Sequence, residues 1–314
     1  VKGLALLICL GSLLFFAGLG DRDFWAPDEG DFAQITKELA GDLVVPRLNG
    51  TPYAEKPPLY YYLLYASKAL QPVFREEVSL RIPSALFALL MAAGLFVTAR
   101  RSLGNKIALA SGLVLLSAPL FYWQARYVQV DMVFSSLLCL SLFSYIGLIE
   151  TGRTPFLYLT AALLGGAFLT KGPLALALTV PPMAVASFFQ RRRIHIPPLH
   201  VFLAAALFAT VVLPWYVAVY LREGLPFLYE NVLRQNLTRF TEAWSHRRPF
   251  YYYVTTLPAD FFPWSLLLPL GIYRACRVRP MQPGLLFLLL FSAWAFLFLS
   301  ASSGKISKYM LPLL

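Results

Sequence analysis

Charge is scarce in this chain. Asp, Glu, Lys and Arg make up 14% of its 314 residues, against 58% hydrophobic residues. Soluble domains average about 25% charged and 45–50% apolar residues, so a soluble globular fold is excluded. Cysteine is equally sparse, at three residues. Cys9 and Cys139 fall inside apolar runs and Cys276 at the edge of one, which leaves no disulfide framework. Of the three histidines, none stands at a spacing that would mark a zinc site. There is no Gly-rich phosphate loop and no G-x-G-x-x-G after a strand, so a cytosolic sugar nucleotide is not the expected substrate. Short internal repeats and low-complexity tracts are also missing.

What is present in quantity is apolar sequence. Nine runs approach or exceed the roughly 17 residues needed to cross a hydrocarbon core: 3–20, 83–99, 107–123, 132–149, 155–170, 173–189, 199–221, 250–273 and 284–301. A further span begins near Tyr309 and stops at Leu314. With its start at Val1, the chain reads as one transmembrane catalytic domain, 1–314, truncated at its C-terminus. Residues 1–20 follow Lys2 as a secretory signal would, but AGLGD offers no A-x-A cleavage site, so they read as a retained first helix.

The positive-inside rule sets the orientation. With the N-terminus inside, the cytoplasmic side receives Lys2, Arg100, Arg101, Lys106, Arg153, Arg191, Arg192, Arg193, Arg274, Arg277 and Arg279 against Glu150. The formal charge of +11 is therefore topogenic and gives no argument for nucleic acid. The outer loops are 21–82 and 222–249.

The first outer loop carries an unusual density of charge between apolar segments, and charge beside lipid more often marks a site than a scaffold. Phe32, Ile35 and Leu39 recur at helical spacing from Asp28 to Gly41, predicting a short amphipathic helix on the membrane surface. Asn49-Gly50 predicts a turn. Residues 59–70, LYYYLLYASKAL, are too short to span, and their four tyrosines suggest a helix at headgroup depth. Asp28 can cap the first helix, with Asp31 favouring its dipole; Asp28 and Glu29 can equally serve as base or orienting carboxylate for an attacking hydroxyl. Lys56, beside Glu55 and ahead of two prolines, either snorkels to membrane lipids or grips the phosphate of a lipid-linked substrate. Asp131 opens a span five residues after Arg126, where it is comfortable at a helix N-terminus or forms a second site carboxylate. Lys171 lies in a tight turn at Thr170–Pro173 and faces the same side as Lys56. Arg234, Arg239, His246, Arg247, Arg248, Lys305 and Lys308 return positive charge to that face. Glu55 with His246 could hold a divalent ion.

These residues carry a resemblance. APDEGDFAQITKELAGDLVVPRLNGTPYAEKPPLYYYL, RYVQVDM at 126–132, LTKGP at 169–173, HRRPFYYY at 246–253, FFPWSLLLP at 261–269 and SKYMLPL at 307–313 occur in family order. They resemble bacterial glycosyltransferases of the protein-mannosyltransferase superfamily, nearest the branch of the 4-amino-4-deoxy-L-arabinose lipid A transferases. The resemblance implies an all-α, polytopic GT-C fold in the inner membrane with a periplasmic cavity and amphipathic helices in the first outer loop. It implies a polyprenyl-phosphate sugar donor and lipid A or another envelope acceptor. By motif position, Asp28 and Asp131, with Glu29, are similar to the catalytic carboxylates. Lys56, Arg239 and Lys171 are similar to donor-phosphate ligands. Transfer to protein hydroxyls or another glycan is the alternative within this class. A polyprenyl-lipid transporter would instead place charge at span midpoints; here Asp260 alone lies inside a span.

Overall fold

The computed structural model describes residues 2–26, 28–190, 196–277 and 280–314. Arg191, Arg192, Arg193 and Arg279, part of the expected cytoplasmic charge, lie outside the described residues.

The chain begins with α1 (Lys2–Phe16), followed by α2 (Asp28–Glu38), a two-stranded hairpin of β1 (Arg47–Leu48) and β2 (Thr51–Pro52), and α3 (Leu59–Ser67). Then come α4 (Glu76–Leu103), α5 (Asn105–Ser117), α6 (Pro119–Ala125), α7 (Val130–Thr151), α8 (Pro155–Lys171) and α9 (Leu174–Gln190). The remainder is α10 (Pro198–Leu228), a π-helical stretch Tyr229–Thr238, α11 (Arg239–Thr241), α12 (Tyr252–Asp260), α13 (Leu268–Arg277), α14 (Pro283–Ala301) and a 3-10 segment, Ser307–Leu313.

Among the described residues, α4, α7, α14 and the helix that opens with α10 are long and apolar enough to cross a membrane. α1, α8 and α9 are shorter apolar helices. Two of the nine expected spans are not straight. The run 107–123 bends by 70° between α5 and α6, because Pro119 pushes Ala118 into extended backbone. The run 250–273 divides into α12, a 3-10 turn and α13. Pro263 and Pro269 follow α12 closely, and proline removes a helix donor while clashing with the preceding turn.

α7 is the central helix, packed against α4, α8, α9, α14 and the 3-10 segment. Its Ser135, Ser136, Ser141 and Ser144 are buried; Ser141 Oγ donates to the carbonyl of Leu138 and Ser144 Oγ to that of Phe156. Small hydroxyls satisfied in this way let helix backbones approach closely.

The first loop is more ordered than the 21–82 boundary implies, since α4 already begins at Glu76. α2 forms where expected, with Asp28, Glu29 and Asp31 in its first turn and Lys37 in its last, complementing the helix dipole. Its apolar face is not laid on lipid. Ile35 and Leu39 are fully buried, and the Phe32 ring packs edge-on against Tyr60 of α3 at 5.4 Å. Tyr60 and Tyr61 are fully buried too, so α3 seats α2 on the bundle. The Asn49-Gly50 turn has positive φ at both residues, 52° and 79°, as a tight hairpin requires. Glu38 accepts both of their amide hydrogens, at 2.8 and 2.9 Å. In the second loop, α10 continues to Leu228 across a break at Gly224 (φ 73°) and runs into the π-helical stretch, which carries Arg239 to the site.

Candidate active site

A cavity of about 380 Å³ opens where α2, the Tyr53–Pro57 loop, the N-terminus of α7, the end of α8, the π-helical stretch and the Ser302–Tyr309 segment meet. Asp28, Asp131, Lys56, Lys171, Arg239, Glu55 and His246 all line it. Seven residues, of which Glu55 and Lys56 alone are sequence neighbours, thus share one chamber. Tyr53, Phe240, Phe298 and Leu299 add apolar wall.

Two of the lining carboxylates, Asp28 and Asp131, are linked through Lys308. Asp28 does not cap α2: its Oδ2 accepts from Gln129 Nε2 and, at 3.1 Å, from Lys308 Nζ. Asp131 is nearly buried and pairs with Lys171 Nζ at 2.5 Å, with Lys308 Nζ 3.9 Å away. Arg126 takes no part in this pair. Its guanidinium donates to the carbonyls of Leu14, Phe15, Ala17 and Gly18, closing the C-terminus of α1 and answering its orphan acceptors.

Lys56 and Arg239 add cationic charge to the lining. Lys56 is half-buried, and its Nζ donates to the carbonyl of Glu55 at 3.1 Å. Burial, and then the charges of Arg239 and Lys171, push this ammonium down to about 8, against the opposing pull of Glu55 and Asp131. Arg239 reaches Gln235 Oε1 at 3.1 Å and lies 5.4 Å from the Trp244 ring centroid. Lys171 ends α8 ahead of Gly172, whose φ of 66° makes the expected turn. Its ammonium is already committed to Asp131, which leaves Lys56 and Arg239 better placed to receive an anion.

Glu29 departs from its expected place. It is fully buried behind the cavity, bonded to Arg81 at 2.9 and 3.0 Å and to Arg22, and it accepts the amides of Trp25 and Val128. Burial raises its carboxyl, but Arg81, Arg22 and these amides outweigh burial and hold it below the ordinary range. Glu29 therefore fastens α2 to α4 and to the lead-in of α7. Asp31 is pushed up by burial, then by Asp28 and Glu55.

Glu55 and His246 both reach the cavity, but among the described residues no group of three His, Cys, Asp or Glu side chains converges on a metal position. Two side chains fall short of the set a zinc site takes from protein. Two further contributors carry no sequence signal strong enough to single them out. Gln129 is an uncharged neighbour of Asp131, and Lys308 is one of several cations on this face, though it sits inside the SKYMLPL motif.

Fold and site together define a multi-pass membrane protein with the GT-C glycosyltransferase architecture. It superposes on ArnT from Cupriavidus metallidurans bound to undecaprenyl phosphate with a TM-score of 0.87 and 25% identity, covering 98% of this chain and 57% of that one. The archaeal oligosaccharyltransferase AglB from Archaeoglobus fulgidus shares the fold alone, at a TM-score of 0.52 and 11% identity over 93% of this chain and 36% of that one. The model of the dolichyl-phosphate-mannose-protein mannosyltransferase family matches residues 55–217, and the chain belongs to that family. It is 32% identical to the undecaprenyl phosphate-alpha-4-amino-4-deoxy-L-arabinose arabinosyl transferase of Pectobacterium atrosepticum, over 98% of this chain and 56% of that protein. The enzyme of the same name from Pseudomonas paraeruginosa is 33% identical, over 98% and 57%. The chain thus spans a little over half the length of these curated relatives.

Proposed function

We propose that this protein is an inverting glycosyltransferase that moves a sugar from a polyprenyl-phosphate donor to an envelope acceptor. It would work from a bacterial inner membrane with its cavity facing the periplasm. The relatives' names support an undecaprenyl-phosphate-linked aminoarabinose as donor; lipid A as acceptor is what the motif resemblance implies. One observation carries the reading: a single cavity holds the cations Lys56 and Arg239 together with the carboxylates Asp28 and Asp131.

That combination fits the chemistry. Cleavage of the glycosyl–phosphate bond leaves negative charge on the phosphate, which Lys56 and Arg239 stabilise as it develops. Asp28 orients the acceptor oxygen and takes its proton as the new bond to the anomeric carbon forms. Attack from the face opposite the leaving phosphate inverts that carbon. The membrane holds donor and lipid acceptor in one leaflet, which converts much of their encounter into an orientation problem.

The test is transfer in proteoliposomes containing a polyprenyl-phosphate sugar, with lipid A and peptide acceptors compared by mass spectrometry. Asp28→Asn is expected to cut turnover by about 10²–10⁴ while donor binding stays near normal. Lys56→Ala is expected to weaken both donor affinity and rate. Near-normal turnover by Asp28→Asn would sink the catalytic assignment, and transfer to peptide but not lipid A would move the acceptor class.

A further inference from the structure

Lys308 belongs to no role assigned so far, yet it stands between the two carboxylates. Its Nζ is 3.1 Å from Asp28 Oδ2 and 3.9 Å from Asp131 Oδ2. The side chain is 18% exposed, so solvent screens these contacts far less than it screens a surface pair. The segment that carries it is keyed into the core. Met310, Leu311 and Pro312 are buried, and the Pro312 carbonyl accepts from Cys139 Sγ of α7 at 3.5 Å.

Asp28 and Asp131 come from different helices, and two carboxylates brought to one cavity end repel unless a cation lies between them. Asp131 has a second cation in Lys171. Asp28 has Lys308 as its cationic hydrogen-bond donor among the described residues, and both of its hydrogen bonds there fall on Oδ2. The ammonium is a compact charge on a flexible four-carbon stem, so it can pivot between two acceptors already within 4 Å of it. An acceptor hydroxyl that docks on Asp28 competes with Lys308 for the carboxylate, and the ammonium has Asp131 to receive it.

From this geometry we infer that Lys308 is a positioning residue of the transfer reaction: a shared counter-ion that sets Asp28 beside Asp131 and shifts toward Asp131 when the acceptor engages Asp28. The inference rests on the glycosyl-transfer reading. It assigns Lys308 to the acceptor side of the reaction, apart from the phosphate grip of Lys56.

Kinetics in proteoliposomes separate this role from a phosphate contact and from a merely structural one. Lys308→Met is expected to lower kcat by about tenfold or more, as loss of a charge-assisted hydrogen bond would. KM for the polyprenyl-phosphate sugar stays near the parent value, and Lys308→Arg, which keeps the charge, recovers most of the lost turnover. Unchanged kcat in Lys308→Met, a loss confined to donor KM, or no recovery in Lys308→Arg overturns the assignment. A second measurement needs no turnover. Thermal unfolding of Asp28→Asn, Lys308→Met and the double variant is expected to show a double-variant shift smaller than the two single shifts combined. Strict additivity refutes the pairing. If the parent protein transfers no sugar, the glycosyl-transfer reading fails, while the unfolding cycle still decides whether Lys308 bridges to Asp28.

Discussion

Lys56 gives the sharpest prediction, because its ammonium is held near 8, well below the ordinary lysine value of about 10.4. Burial comes first among the causes, followed by repulsion from Arg239. A lowered lysine loses its proton as pH rises through its own value, so the proposed phosphate grip is expected to be intact at neutral pH and released in mild alkali. With a value of 8, the charged fraction falls about tenfold between pH 7 and pH 9. An unperturbed lysine would lose only a few per cent over that interval. The parameter to follow is kcat/KM for the polyprenyl-phosphate sugar, which reports the free enzyme. It is expected to descend with a midpoint near pH 8, while Lys56→Arg, whose guanidinium stays charged, keeps a flat profile to about pH 9.5. Tyr53, the neighbouring phenol, cannot produce the same limb, since burial and Glu55 push it upward. A flat profile in the parent enzyme, or an identical descent in Lys56→Arg, would refute the placement of this ammonium at the donor phosphate.

Three further outcomes follow from groups outside the cavity. Arg81→Ala leaves the fully buried Glu29 without its main partner, and removal of one member of a buried pair costs about 3–5 kcal/mol; thermal unfolding in detergent is expected to show a correspondingly large loss, and a loss below about 1 kcal/mol contradicts the network. Because Glu29 is held below the ordinary glutamate range, its contribution is complete at and above that range and disappears as pH falls through the lower folded value. Glu29→Gln is therefore expected to reduce stability at neutral pH and to flatten the acid limb of the unfolding profile. Arg126→Ala strips the end of α1 of its carbonyl partners and is expected to cost about 1–3 kcal/mol; hydrogen exchange over residues 13–18 would rise selectively, and uniform exchange across the protein would count against a capping role.

Much of the site was legible in sequence because its charges stand out against apolar helices. Asp28, Lys56, Asp131, Lys171 and Arg239 reach one cavity, and the period of Phe32, Ile35 and Leu39 gave α2. What escaped was pairing across the chain. Nothing local to Glu29 reveals that Arg81, 52 residues later, would enclose it, so a buried strut and an exposed carboxylate look alike in the string Asp28-Glu29. The partner of the apolar face of α2 escaped for a related reason: periodicity tells which face is apolar, and not whether protein or lipid covers it. The bends at Ala118 and after Asp260 lay in proline positions. Hydropathy averaged over a run is blind to a single missing amide donor, and therefore to where a span breaks.

The contact between Asp28 and Lys308 joins residues 280 positions apart, whereas Asp131 and Lys171 are 40 apart. During synthesis at about 5–20 residues per second, the first pair waits roughly 15–55 s for its second member. Asp131 can meet Lys171 soon after α8 enters the bilayer. Asp28 reaches the membrane early and stays without Lys308 until the segment after α14 has been made. The proposed reacting centre is thus among the last features of this region to be completed, and a nascent chain halted before Ser307 would carry both carboxylates in a bundle that has not yet closed around them.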